Sequence, residues 1–176
     1  IQEQKRQMDV LKFLDNFRKI DSNFLCYFVG GPSGKSGDDY LIQLKDNVKE
    51  LNLESNTEFL GNLTQIKIKE LMNRSKLLIH TSHFETFGLV AIEANAMGVP
   101  VLTTNQGPLS EIIENNVNGY LTEGLINSQV NSFVKNLLND DKQFQKFQMN
   151  CHEKSKKFDW KSTAKELENL YNSALI

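Results

Sequence analysis

Two carboxylates eight residues apart, Glu85 and Glu93, frame the stretch of this 176-residue chain whose residue types and spacing could do chemistry. The apolar run ahead of them, Leu77 to Thr81, is too short for a helix and reads as a buried strand. Gly88 then opens a segment that is apolar or small on nearly every face, from Leu89 to Met97. A helix with no polar side is normally buried all round. Glu93 is the lone acid inside it, with Leu89 and Met97 as its i−4 and i+4 neighbours and no Lys or Arg within a helical turn. Burying an unpaired carboxylate is costly, so the spacing points to a group met by a hydrogen-bonding ligand. A rim position facing solvent, or a cap on a backbone N–H elsewhere, is the plainer alternative. The first N–H groups of a helix lack intrahelical acceptors and sit at the positive end of its dipole. Phe87, Gly88, Leu89 and Val90 could therefore offer backbone donors to a phosphate or sugar oxygen, with Glu85 just before them. His80 and His83 lie near, but neither has metal-ligand spacing with another His, Cys or acid, and each reads as a structural or rim histidine.

The elements that must position these groups alternate. A helical stripe over residues 3–19 is followed by the apolar run Phe24 to Val29, closed by Gly30-Gly31-Pro32. Tyr40 to Leu53 is an amphipathic helix, Thr57 to Gly61 a short strand and Ile66 to Met72 a short helix. After the central strand and helix come a strand ending at Thr104, a brief helix from Leu109 to Glu114 and a little strand over Gly119 to Leu121. The rest, from Ile126, is helical in pattern. Strands alternating with helices imply an α/β/α layer sandwich around a mainly parallel sheet, in one domain over residues 1–176. In such sheets ligands gather beyond the carboxyl ends of the strands. That rule selects the turns 30–37, 82–88 and 104–108.

Composition narrows the function. A formal net charge of −2 leaves no electrostatic footprint for nucleic acid. No apolar run approaches the ~18 residues of a membrane span. Cys26 and Cys151 stand far apart without a C-x-x-C, as in a reduced, intracellular protein. The chain opens on Ile1-Gln2-Glu3-Gln4-Lys5-Arg6, polar and without an initiator Met, which looks like a cut through a longer protein. Gly34-Lys35-Ser36 invites a phosphate-loop reading, but the motif G-x-x-x-x-G-K-[ST] needs a Gly where Val29 stands. Asp38 or Asp39 reads instead as the N-cap of the next helix.

Glu85-x-Phe87-Gly88-x-x-x-x-Glu93 resembles the E-x7-E element of retaining GT-B glycosyltransferases, most of all glycosyltransferase family 4. The resemblance extends to Val29-Gly30-Gly31-Pro32, Glu58 to Gly61, Ala96 to Val101, Gly107 to Ile113 (with Pro108 where the family usually has a second Gly) and Phe158-Asp159-Trp160. It thus covers nearly the whole chain.

The resemblance implies the C-terminal, donor-binding half of a GT-B fold with its first strand missing, and an N-terminal acceptor domain absent from this chain. The parent would transfer a sugar from a nucleoside-diphosphate sugar, with UDP or GDP as the nucleotide, to an acceptor hydroxyl with retention. No metal or other cofactor is expected. Glu93 would bind the ribose hydroxyls, Glu85 would contact the donor sugar, and the amides of Phe87, Gly88, Leu89 and Val90 would hold sugar and phosphate oxygens. Gly30 and Gly31 would leave room for the nucleotide. Lys5 matches the lysine of the family's basic loop and would neutralise the diphosphate, while its Arg partner is absent. This fragment alone is expected to bind nucleotide weakly and transfer nothing. The acceptor would be a glycan, a lipid-linked group or another hydroxyl, and the location cytoplasmic, with peripheral membrane association open. A non-catalytic nucleotide-sugar-binding domain and a GT-B sugar-nucleotide epimerase are the alternatives.

Overall fold

A computed structural model describes residues 1–174. A 3-10 turn, Glu3–Lys5, leads into α1 (Gln7–Arg18), and then come β1 (Cys26–Val29), α2 (Gly37–Glu50), β2 (Thr57–Gly61) and α3 (Gln65–Asn73). The second half runs β3 (Leu78–His80), α4 (Leu89–Ala96), β4 (Val101–Thr104), α5 (Leu109–Ile112) and β5 (Gly119–Thr122). Three helices follow, α6 (Ser128–Asn139), α7 (Asp141–Ser155) and α8 (Trp160–Ala174). The first helix is shorter than the 3–19 stripe, because Arg6 takes a left-handed conformation that separates the 3-10 turn from α1. Helix α2 starts earlier than its pattern suggested, capped at Ser36. Asp38 and Asp39 lie in its first turn, where they complement the dipole instead of forming the cap.

All pairing is parallel, but hydrogen bonds divide the strands into two sheets, β1–β2 and β3–β4–β5. The facing strands β1 and β3 both line a cavity of about 850 Å³, floored in part by Phe13, Leu14 and Phe17 of α1. Ile1 stands at one mouth of this slot, its amino group on the Gly31 carbonyl.

Alternate residues of the strands serve opposite faces, as a pleat requires. Leu77, Ile79 and Leu102 pack with α1, α2 and α6 around Phe13, Phe17, Leu44 and Phe133. Leu78 and Val101 pack with α4 and α5 around Ala91, Ala94, Leu109 and Ile112. Helix α4 is further fixed by a buried amide pair. Asn95 Nδ2 donates to the Val99 and Asn118 carbonyls at 3.1 and 3.3 Å, and Asn118 Nδ2 donates to Asn95 Oδ1 and to the Ile112 carbonyl. Satisfied amides of this kind hold one geometry where apolar contacts alone would tolerate sliding.

Candidate functional site

The loop between β3 and α4 is built around Gly88. Its φ of +79° is a backbone state that side chains with a Cβ rarely adopt, and a Cβ there would stand 2.8 Å from Ile112 Cδ1. Capping α4 with this residue turns the helix start towards Glu85. The Glu85 Oε1 atom accepts the amides of Thr86 and Gly88, each at 3.2 Å. On the far side, a Cβ at Gly107 would meet the Glu85 carbonyl oxygen at 2.5 Å, so the loop after β4 closes directly on this backbone.

The other carboxylate oxygen, Oε2, lies 3.1 Å from His80 Nε2 and 3.3 Å from Lys5 Nζ. Lys5 reaches it across eighty residues of sequence because its turn is tied to the β3 end. The Thr81 hydroxyl donates to the Lys5 and Arg6 carbonyls, and the His83 amide donates to the Gln4 carbonyl. Arg6 points elsewhere and pairs with Asp9 at 2.5 Å. Partial burial pushes the Glu85 carboxyl up, but the Gly88 amide, the Lys5 ammonium and the His80 ring outweigh it and hold the group below its ordinary range. Burial lowers the pKa of His80 despite the pull of Glu85. The His80–Glu85 contact is therefore a hydrogen bond from a neutral ring at pH 7, not an ion pair.

Glu93 corrects the expectation of a buried acid. Only Ala91, Ala94 and Asn95 of α4 are buried; Leu89, Val90 and Glu93 are exposed. One helical face packs on β3, β4 and α7, and the face bearing Glu93 opens on the mouth of the slot, so the carboxylate escapes desolvation. The burial argument for a ligand therefore lapses, and what remains is position: Glu93, Lys5, His80, Val90 and Gly30 line one cavity. Most of that cavity is the strand slot, and the chemistry gathers at its carboxyl-end mouth.

The other expected residues divide. The Gly88 amide is already taken by Glu85, whereas the amides of Phe87, Leu89 and Val90 have no acceptor among the described residues. Gly30 has a φ of +111°, and a Cβ there would make ordinary contact with the Ile1 nitrogen at 3.6 Å. Gly31 is crowded by Asn62, whose Oδ1 accepts its amide at 2.7 Å, so a protein side chain accounts for its missing Cβ. His80 is the residue whose role sequence reading missed; no periodicity relates it to Glu85. Three buried polar atoms at the strand ends, His80 Nδ1, Ser82 Oγ and Thr104 Oγ1, have no partner among the described residues. Such atoms are normally met by water or by a ligand. Among the described residues no cluster of three or more His, Cys, Asp or Glu is arranged to hold a metal ion, and no helix is long and apolar enough to cross a membrane.

The family description "Glycosyl transferases group 1" matches residues 1–158. The chain belongs to this family. D-inositol 3-phosphate glycosyltransferase of Corynebacterium glutamicum is 29% identical to it over 160 residues, covering 90% of this chain and 37% of the relative. The chain spans about a third of the length of such curated relatives, 37, 34 and 35% in three of them. Anabaena HepE in complex with UDP superposes with a TM-score of 0.84 at 25% identity, over 98% of this chain and 46% of that one. The HepE complex with UDP-glucose gives 0.83 over the same shares. The C-terminal domain of LpcC, a group 1 family protein of Francisella tularensis, gives 0.79 at 25% identity, over 91% of this chain and 83% of that domain. The architecture is that of the C-terminal Rossmann-like domains of GT-B glycosyltransferases.

Proposed function

We propose that residues 1–176 are the donor-binding domain of a glycosyltransferase that takes a nucleoside-diphosphate sugar and transfers the sugar, with retention, to an acceptor hydroxyl held by another part of the parent protein. The observation that carries this reading is the Glu85 carboxylate, pinned at the start of α4 beside unpartnered helix amides and the Lys5 ammonium. An anion-binding helix start with a lysine facing it suits a diphosphate. Lys5 is half exposed, and its contact with Glu85 is worth only about 0.2–1 kcal/mol, so it can leave for a phosphate oxygen at little cost. Glu93, unpaired at the cavity mouth, would accept the two ribose hydroxyls. Gly30 would let the nucleotide lie close to the backbone.

In the transfer, the bond between the anomeric carbon and the diphosphate oxygen breaks and a bond to the acceptor oxygen forms. The diphosphate leaves with the electron pair, and its departing oxygen takes the proton that the acceptor hydroxyl releases. When Lys5 leaves, Glu85 keeps three donors on its two oxygens and a carboxyl held below its ordinary range, so its part is to fix and stabilise charge near the sugar, not to act as a base. With Arg6 turned to Asp9, Lys5 would face the departing diphosphate without Arg6 beside it, and the isolated domain should bind donor weakly and transfer nothing. The binding of UDP by HepE supports testing a uridine nucleotide first.

Titration calorimetry with UDP and GDP tests the reading. Binding of one of them, weakened at least about tenfold by Glu93→Ala with the fold unchanged, is the expected result. A folded protein that binds neither nucleotide, or a Glu93→Ala variant with undiminished affinity, would refute the site.

A further inference from the structure

We propose that His80 is the positioning residue of Glu85: a neutral ring that donates from Nε2 to Oε2 and so decides how the carboxylate is presented to the sugar of the donor. This rests on the donor-site reading above. His80 ends β3 and is 9% exposed, with Nε2 3.1 Å from Oε2. Its other nitrogen, Nδ1, is buried without a partner among the described residues. A histidinium, or the Nδ1–H tautomer, would leave an N–H orphaned there, which is more costly than an orphaned lone pair. The Nε2–H tautomer is the one form that spends its single proton on Glu85 and buries only the lone pair. Lys5 and Glu85 are the charged groups bearing on the ring, and burial outweighs the attraction of Glu85, which agrees with the neutral form.

The consequence for the donor comes from unequal freedom around Oε2. Lys5 is 45% exposed on a flexible stem, whereas His80 is held in the sheet. When a sugar hydroxyl approaches, Lys5 can withdraw and His80 cannot. Three fixed donors, the Thr86 and Gly88 amides and the His80 ring, then leave the lone-pair direction vacated by Lys5 as the one that Glu85 offers. Glu85 thereby accepts a hydroxyl from a single direction. His80 acts through Glu85 on recognition of the sugar, and the nucleotide does not depend on it.

Two measurements decide this. On the ligand-free 176-residue protein, ring 15N shifts should show His80 as the Nε2–H tautomer at pH 7, and 13C titration should show the Glu85 pKa rising in His80→Leu and less in His80→Gln, whose amide keeps a donor. With ligand, His80→Leu should lose about tenfold in affinity for UDP-glucose and keep that for UDP, with His80→Gln recovering most of the loss. The Nδ1–H tautomer, or a histidinium at pH 7, would overturn the proposal. So would equal losses for UDP and UDP-glucose. Failure of the wild type to bind either ligand would sink the donor site while leaving the tautomer and the Glu85 titration to decide His80.

Discussion

Replacing Gly88 by alanine should cost about 3 kcal/mol of folding stability, within a range of about 1–5, and the figure can be assembled from three parts. A φ of +79° costs a residue with a Cβ about 1–2 kcal/mol. The new methyl would then stand 2.8 Å from Ile112 Cδ1 and 3.1 Å from Leu109 Cδ2. Both partners are buried, Leu109 completely, so neither can swing into solvent, and overpacking of this kind costs about 1–3 kcal/mol. The stiffer unfolded chain returns about 0.4–1 kcal/mol. Gly34→Ala separates the parts: φ is +83° there, yet nothing lies within 4 Å of the added Cβ. That variant should lose only about 1 kcal/mol. Urea unfolding followed by circular dichroism, with slopes compared so that midpoints translate into stability, measures both. If Gly88→Ala proves no costlier than Gly34→Ala, the packing of α4 on α5 through Gly88 is not what holds the loop, and the argument for a pinned Glu85 weakens with it.

Acidification should destabilise the fold in two steps. The folded pKa of His80 lies below its ordinary 6.5, so its contribution is complete above that value and is lost as pH falls towards the folded pKa. Glu85 is depressed below its ordinary 4.5, so its contribution is present above that value and is lost as pH falls through the lower folded pKa. Urea midpoints between pH 8 and 3 should therefore fall with acid, and the step beginning near 6.5 should shrink in His80→Gln; an identical profile in the two proteins would contradict the buried neutral ring. A strand of five or six apolar residues fused ahead of Ile1 should enter the slot and join the two sheets. Each side chain buried there contributes about 1.5–3 kcal/mol against about 1–2 kcal/mol of backbone ordering, so a gain of a few kcal/mol, or roughly 6–12 °C in Tm, is expected. An unchanged Tm with no new hydrogen-exchange protection of β1 and β3 would show that the slot takes no strand.

Several of these features could be read before any coordinates. The order of strands and helices follows from local apolar periodicity, and observed boundaries differ mainly at element ends, where fraying and capping decide. Gly88 as a helix start next to a carboxylate was legible because both effects act within one turn. The family that the resemblance implied is the one to which the chain belongs.

What the sequence by itself determined is the α/β layering, the turn at Gly88 and the carboxylate that stands beside it. Each depends on interactions a few residues long. Burial and partnership were decided by the tertiary structure alone. Glu93 looked buried because its helix is apolar on every side, but packing covers one face and leaves Glu93 on the other. The Lys5 contact depends on Thr81 and His83 tying a distant turn to the end of β3. His80, which reads as a structural or rim histidine, becomes a partner of Glu85 only once the β3–α4 loop folds back over the strand end. Desolvation and hydrogen bonding depend on what surrounds a group in space, and spacing along the chain carries no record of that.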